Sequence, residues 1–359
     1  MIPASLYETI YLLIVLFMTI LVIPAYTSNT IRNTQRRNTD QRRIALLLTV
    51  VLILFVGLRP ISGIYFSDMK AYADYYNAAY YGTYIYTLSN YIWDPLFVVI
   101  AVSGMPIEYF FVIVAAFYFV GIFVACEKIF PRDTLLAYLV YLAGFSTFSY
   151  GTNGIKAGVA ASLFLIAVAY KNDFKKSLFF IILVLGVHHS MIVPIVSFII
   201  ARFVRDRNVY LLFWLFCLFL AAFHLTFIME IFAAFTDAHG AEYLQSSKGG
   251  EVSGFRLDFI LYSAIPIFLN HYLIRKFHIK SSSLDFLLNI YTLTNSVFLL
   301  CTYGTFINRI AYLSWLLYPI LLLYPFLNIV WSKRQDVYLK CMVWGHLGFS
   351  LFMCFIYYV

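Results

Sequence analysis

Three cations in this chain stand where an apolar run gives way to polar residues: Arg59, Lys156 and Arg309. An arginine grips a diphosphate through paired N–H donors, and a lysine adds a point charge. Three such groups from separate helices would suit a diphosphate without a metal. Lys156 follows Tyr150-Gly151-Thr152-Asn153-Gly154-Ile155, so Asn153 reads as the N-cap of a helix rich in small residues. The open N–H groups and positive dipole at a helix start add to the pull on phosphate. Gly154 and Gly158 also share a GxxxG spacing, which serves close helix packing. Each cation has a plainer alternative, snorkelling to phospholipid headgroups.

His188-His189-Ser190 is the one histidine pair. His189 could take a proton from a sugar hydroxyl, donate to phosphate, or bond neighbouring helices in a polar turn. Asp68 and Asp74 offer a base or acceptors for sugar hydroxyls, and a solvated loop explains them too. Tyrosines crowd the stretch from Tyr65 to Tyr91, Tyr72 and Tyr75 among them. An aromatic belt and a stacking floor for sugar rings account for these equally well. Asp94 and Glu108 read as caps or interface residues. The five cysteines sit in apolar runs with no metal-ligand spacing, so they read as small hydrophobes, and neither metal nor cofactor is expected.

The elements that must position these residues are membrane helices. The chain is 63% hydrophobic and only 12% charged, with mean hydropathy +0.84. Soluble domains carry roughly 25% charged residues, so the expectation is an all-α polytopic membrane protein forming one integral domain over 1–359. Apolar runs place about twelve spans at 5–26, 44–58, 107–126, 134–149, 157–170, 177–187, 190–201, 208–233, 257–274, 284–303, 310–331 and 337–358. The run 95–103 is too short to span and reads as a re-entrant or interfacial helix. The first run lacks a basic leader and a cleavage site, so it reads as a retained helix. The short runs either side of His188-His189 suggest a broken hairpin.

Alternate loops carry all of the 25 basic residues except Arg59, Lys70, Lys156, Lys248, Arg256 and Arg309. The positive-inside rule then puts both termini outside, with outward loops at about 59–94, 150–156, 234–256 and 302–309. Basic loops explain the pI of about 9.1 as topology rather than nucleic-acid binding. The loop Thr236–Arg256 reads as a mobile lid. The named cations matter because they run against this bias.

Gly57-Leu58-Arg59 followed by Gly63, Asp68 and Tyr72 resembles the opening motif of the EpsG-type, Wzy-like polysaccharide polymerases. The resemblance continues through the small-residue helix at Asn153–Ala161, His189-Ser190 and Asn308–Tyr312, in the family's order. It implies a metal-independent, GT-C-like membrane glycosyltransferase. Such an enzyme joins undecaprenyl-diphosphate-linked repeat units on the periplasmic side of the bacterial inner membrane, for O-antigen or capsule. Arg59, Lys156 and Arg309 would hold diphosphate, His189 or Asp68 would be the base, and Asp74, Tyr72, Tyr75 and Asn153 would meet sugar. Its partners would be the lipid-linked oligosaccharide, membrane lipid, a chain-length regulator and a flippase. A flippase for the same lipid, a surface-sugar acyltransferase and an O-antigen ligase are the competing readings. The first would need mid-membrane charges and an internal repeat, and the second a donor path from the cytoplasm; the ligase is chemically the nearest.

Overall fold

The computed structural model describes residues 2–24, 26, 34–84, 90–224, 255–304 and 307–357. Among these, every regular element is helical. Inside a bilayer no water satisfies backbone N–H and C=O groups, and a helix pairs them within its own segment. Among the described residues six stretches are long and apolar enough to cross a membrane: Ala4–Val22, Ile107–Ile129, Leu257–Phe277, Ser282–Leu300, Ile307–Leu327 and Gln335–Ile356. This is a multi-pass membrane protein. Of the other expected spans, 44–58, 157–170, 177–187 and 190–201 fall in the helices Thr34–Gly57, Ile155–Ala169, Phe174–Val187 and Ile192–Phe203, while 134–149 is broken.

The chain clusters into two compact units, Met1–Met191 with Ser332–Val359, and Ile192–Trp331. The first unit begins with α1 (Tyr7–Val22) and α2 (Thr34–Gly57), followed by α3 (Ser67–Tyr80) and α4 (Trp93–Val102). It continues through α5 (Ile107–Ile129), α6 (Thr134–Leu142), α7 (Thr147–Thr152), α8 (Ile155–Ala169) and α9 (Phe174–Val187). Helix α5 is its centre, with α2 and α8 packed along it and α9 against α8. The expected span 134–149 is broken after Leu142. There the Thr147 hydroxyl donates to the Tyr141 carbonyl at 2.8 Å and closes the turn at Gly144–Ser146.

Within the stretch expected as an outward loop, 59–94, the structure has a helix. Met69, Ala73, Tyr76 and Ala79 recur at helical spacing and are buried. This stripe lays α3 on α4, and the Tyr76 hydroxyl fixes it by donating to the Met105 carbonyl at 2.9 Å. Helix α4 is the short helix expected near 95–103.

The second unit holds α10 (Ile192–Phe203), α11 (Arg207–Ala222), α12 (Leu257–Phe277), α13 (Ser282–Leu300), α14 (Ile307–Trp315) and α15 (Tyr318–Leu327). Its axis is α13, pinned by Asn295, which accepts from Trp214 Nε1 at 2.7 Å and donates to Ser314 Oγ at 3.0 Å. Pro319, in the first turn of α15, has no N–H to give back to α14. The last helix, α16 (Gln335–Phe352), belongs to the first unit. There His346 Nε2 donates to the Val140 carbonyl and Ser350 Oγ to that of Ala143. The lid expected in Thr236–Arg256, with Lys248, lies outside the described residues up to 254, as do Tyr86 and Thr305-Phe306.

Candidate functional site

Arg59 follows the last turn of α2 and is buried, at 3% exposed. Its Nη1 donates to the Val56 carbonyl and its Nη2 to the Thr152 carbonyl, both at 2.6 Å. The guanidinium lies between the rings of Phe66 and Phe111, 5.3 and 5.4 Å from their centroids. No carboxylate pairs with it among the described residues, and its Nε–H is buried without an acceptor. Burial draws the guanidinium down from its ordinary value to about 9, so it stays a cation at neutral pH.

The Thr152 carbonyl that Arg59 holds lies at the end of α7, one residue before Asn153. The N-cap of α8 is Gly154, not Asn153 as the sequence suggests. Asn153 instead closes α7, its N–H donating to the Ser149 carbonyl at 2.8 Å. Its side-chain oxygen is buried with no donor. An acceptor in that state suits a hydroxyl rather than a phosphate. Gly158 lies against the Tyr150 carbonyl, where a Cβ would collide with backbone. The GxxxG spacing thus packs α8 against α7, while Lys156 stands in the first turn of α8.

Asn90 ties Lys156 to the histidine turn. Its oxygen accepts from Lys156 Nζ at 3.2 Å and its nitrogen donates to the Val187 carbonyl at 3.3 Å, the orientation that satisfies both ends. The Ile92 N–H donates to the Gly186 carbonyl at 2.8 Å. Gly186 permits that approach, because a Cβ there would sit 2.5 Å from the Ile92 side chain. Val187 ends α9, and His188 follows in extended conformation.

His188 rather than His189 is the oriented ring. Its Nδ1 lies 3.1 Å from the Ser190 N–H and 2.9 Å from Ser190 Oγ. A backbone N–H can only donate, so Nδ1 accepts and the neutral ring carries its proton on Nε2. His189 is exposed and, among the described residues, has no hydrogen-bond partner.

The first unit therefore joins Arg59, Asn153, Lys156 and the histidine turn into one cluster. Asp68 lies in the first turn of α3, two residues beyond the Phe66 ring that faces Arg59. Asp74 is exposed and ion-paired with Lys70. Tyr75 is exposed and edge-on to Tyr84 at 6.1 Å. Tyr72 packs among Trp93, Phe97 and Phe110. Arg309 lies in the second unit, exposed on the first turn of α14. Arg256 is held by Asp258, Nε to Oδ1 at 2.9 Å. Lys70 and Arg256 thus have neighbouring carboxylates, and among the described residues Arg59 has none.

Asn90 and His188 are the site residues that sequence reasoning did not single out. Asn90 carries no motif, and its role follows from a contact far along the chain. The histidine pair was legible, but the choice within it depends on the backbone at His188.

The fold and this cluster define a multi-pass, all-helical membrane protein with cations gathered at helix ends. A family model described as the EpsG family matches residues 42–359, and the chain belongs to that family. Membership points to a polysaccharide polymerase, glycosyltransferase-like, in surface polysaccharide synthesis. Neither the curated proteins nor the solved structures give a match.

Proposed function

We propose that this protein joins undecaprenyl-diphosphate-linked oligosaccharide repeat units at the periplasmic face of the inner membrane. The observation that carries the reading is Arg59: a buried cation with no carboxylate beside it among the described residues, joined through the Thr152 segment to Lys156. A leaving diphosphate needs such preset positive charge, which is worth more in a water-poor site than in bulk. Outward cations at helix ends also fit a substrate whose head lies at the membrane surface and whose tail lies within it.

In this reading a terminal sugar hydroxyl of one repeat unit attacks the anomeric carbon of the growing chain. The new C–O bond forms as the bond from that carbon to the diphosphate oxygen breaks. The electron pair leaves with undecaprenyl diphosphate, stabilised by Arg59 and Lys156; Arg309 is assigned to diphosphate by the family resemblance alone. The hydroxyl proton passes to His189 or to Asp68. Asn153, with Asp74, Tyr72 and Tyr75, accepts or stacks against sugar. Both termini are periplasmic, and a flippase supplies the substrate while a chain-length regulator sets the product length.

The test is elongation of a lipid-linked repeat unit by the purified protein in bilayer discs. The wild type should give a ladder, and Lys156→Gln should leave single-repeat product. Full ladders from both Lys156→Gln and Arg309→Gln would sink the assignment.

A further inference from the structure

A cavity of about 220 Å³ lies inside the first unit, among α4, α5, α8 and α9. Its walls are wholly apolar, including Trp93, Phe97, Phe110, Val159, Leu163 and Val187. A space without polar partners does not hold ordered water, and an unfilled one weakens the packing around it.

The cavity begins at the cationic cluster. Val187 forms part of its wall and also accepts the Asn90 amide, whose oxygen holds Lys156. Val159 and Leu163 lie three and seven residues beyond Lys156, on the same face of α8. At the other side the lining residues Leu96 and Phe117 are 39% and 50% exposed, so the slot opens laterally on the surface of the unit. A polar head can therefore sit at Lys156 while its hydrocarbon enters from the side.

We propose that this slot holds the first one or two isoprene units of a polyprenyl diphosphate, the rest of the tail staying in the bilayer. The inference rests on reading Arg59 and Lys156 as a diphosphate site. Size sets the length: a dry cavity of about 150 Å³ takes benzene, so this one takes a segment of roughly five to ten carbons. Charge sets the class, because Lys156, joined through the Thr152 segment to Arg59, matches a diphosphate better than the single charge of a phospholipid diester.

The test uses the full chain in bilayer discs and two photoreactive farnesyl diphosphates, with a diazirine in the first or in the third isoprene unit. The first-unit probe should label peptides covering 92–100, 159–163 and 183–187, and the third-unit probe should not. Unlabelled farnesyl diphosphate should compete, and a phosphatidylglycerol carrying an acyl-chain diazirine should not label these peptides. Leu163→Phe fills the slot, and losing two methylenes of burial is about a tenfold loss of labelling affinity. Labelling elsewhere, equal labelling by both farnesyl probes, labelling by the acyl probe, or no effect of a folded Leu163→Phe would overturn the slot. The contrast between the two probes in the unmutated chain decides the matter if the variant does not fold. Labelling as expected by a protein that never elongates repeat units would overturn polymerisation and leave the slot standing. Elongation with labelling elsewhere would overturn the slot alone.

Discussion

Replacing Arg59 with methionine separates a scaffold cation from a substrate cation. Methionine keeps an unbranched apolar stem between Phe66 and Phe111 but removes both donors to the Val56 and Thr152 carbonyls. Hydrogen bonds from a charged group are worth about 1.5–3 kcal/mol each. Against that loss stands the charge itself, since a buried ion without a counter-ion carries a penalty of several kcal/mol. The two effects are similar in size and opposite in sign, so Arg59→Met should shift stability by no more than about 2 kcal/mol. Substrate binding has no such offset. Removing a desolvated cation from a diphosphate should cost about 2–5 kcal/mol, or roughly 30- to 5,000-fold in kcat/KM. Arg59→Lys keeps the charge and loses the fork that reaches two carbonyls at once, so it should fall between. Thermal unfolding in bilayer discs and elongation kinetics on the same preparation read the two quantities separately. A variant that unfolds much more easily, yet elongates within a few-fold of wild type per folded molecule, would refute the argument and leave Arg59 a structural brace.

The neighbouring contacts make further predictions. Asn90→Ala removes the acceptor for Lys156 and the donor to Val187; losing two ordinary hydrogen bonds of about 1 kcal/mol each should reduce kcat/KM by roughly tenfold or more, with Asn90→Asp partly restoring the acceptor. Gly186→Val drives a side chain into Ile92 and should destabilise by about 1–3 kcal/mol, measured as a lowered unfolding temperature. His188, with Nδ1 taken by Ser190 and its proton on Nε2, is a donor rather than a base, so His189→Ala should lower kcat by about 100-fold or more and His188→Ala by less, and the reverse order in steady-state rates would move the role of base to His188. In the second unit Arg207 pairs with Asp285 at 2.9 Å with both side chains about three-quarters covered. Arg207→Ala should therefore lower the unfolding temperature by more than Lys70→Ala, which breaks a pair left more than half exposed.

What could be read from the sequence, and what could not, divides along a physical line. Arg59 and Lys156 stood out because charge against the topological bias of a membrane protein needs a cause, and a single sequence shows that bias. The helical class was equally open, since hydropathy reports it directly. Helix α3 was hidden: its buried stripe of Met69, Ala73, Tyr76 and Ala79 is threaded through Asp68, Lys70 and Asp74, which read as a loop. The cap at α8 failed for a different reason. Asparagine is the better capping residue by local preference, but α7 runs on to Thr152 and takes Asn153 as its own end, leaving Gly154 to start α8. Asn90 had no signal, because its meaning comes from the backbone of Val187 and the amine of Lys156 arriving beside it. The cluster was thus legible in its charges and not in the neutral residue that links them. That link holds Lys156 beside the histidine turn, where an isolated surface lysine would have the whole headgroup layer to choose from.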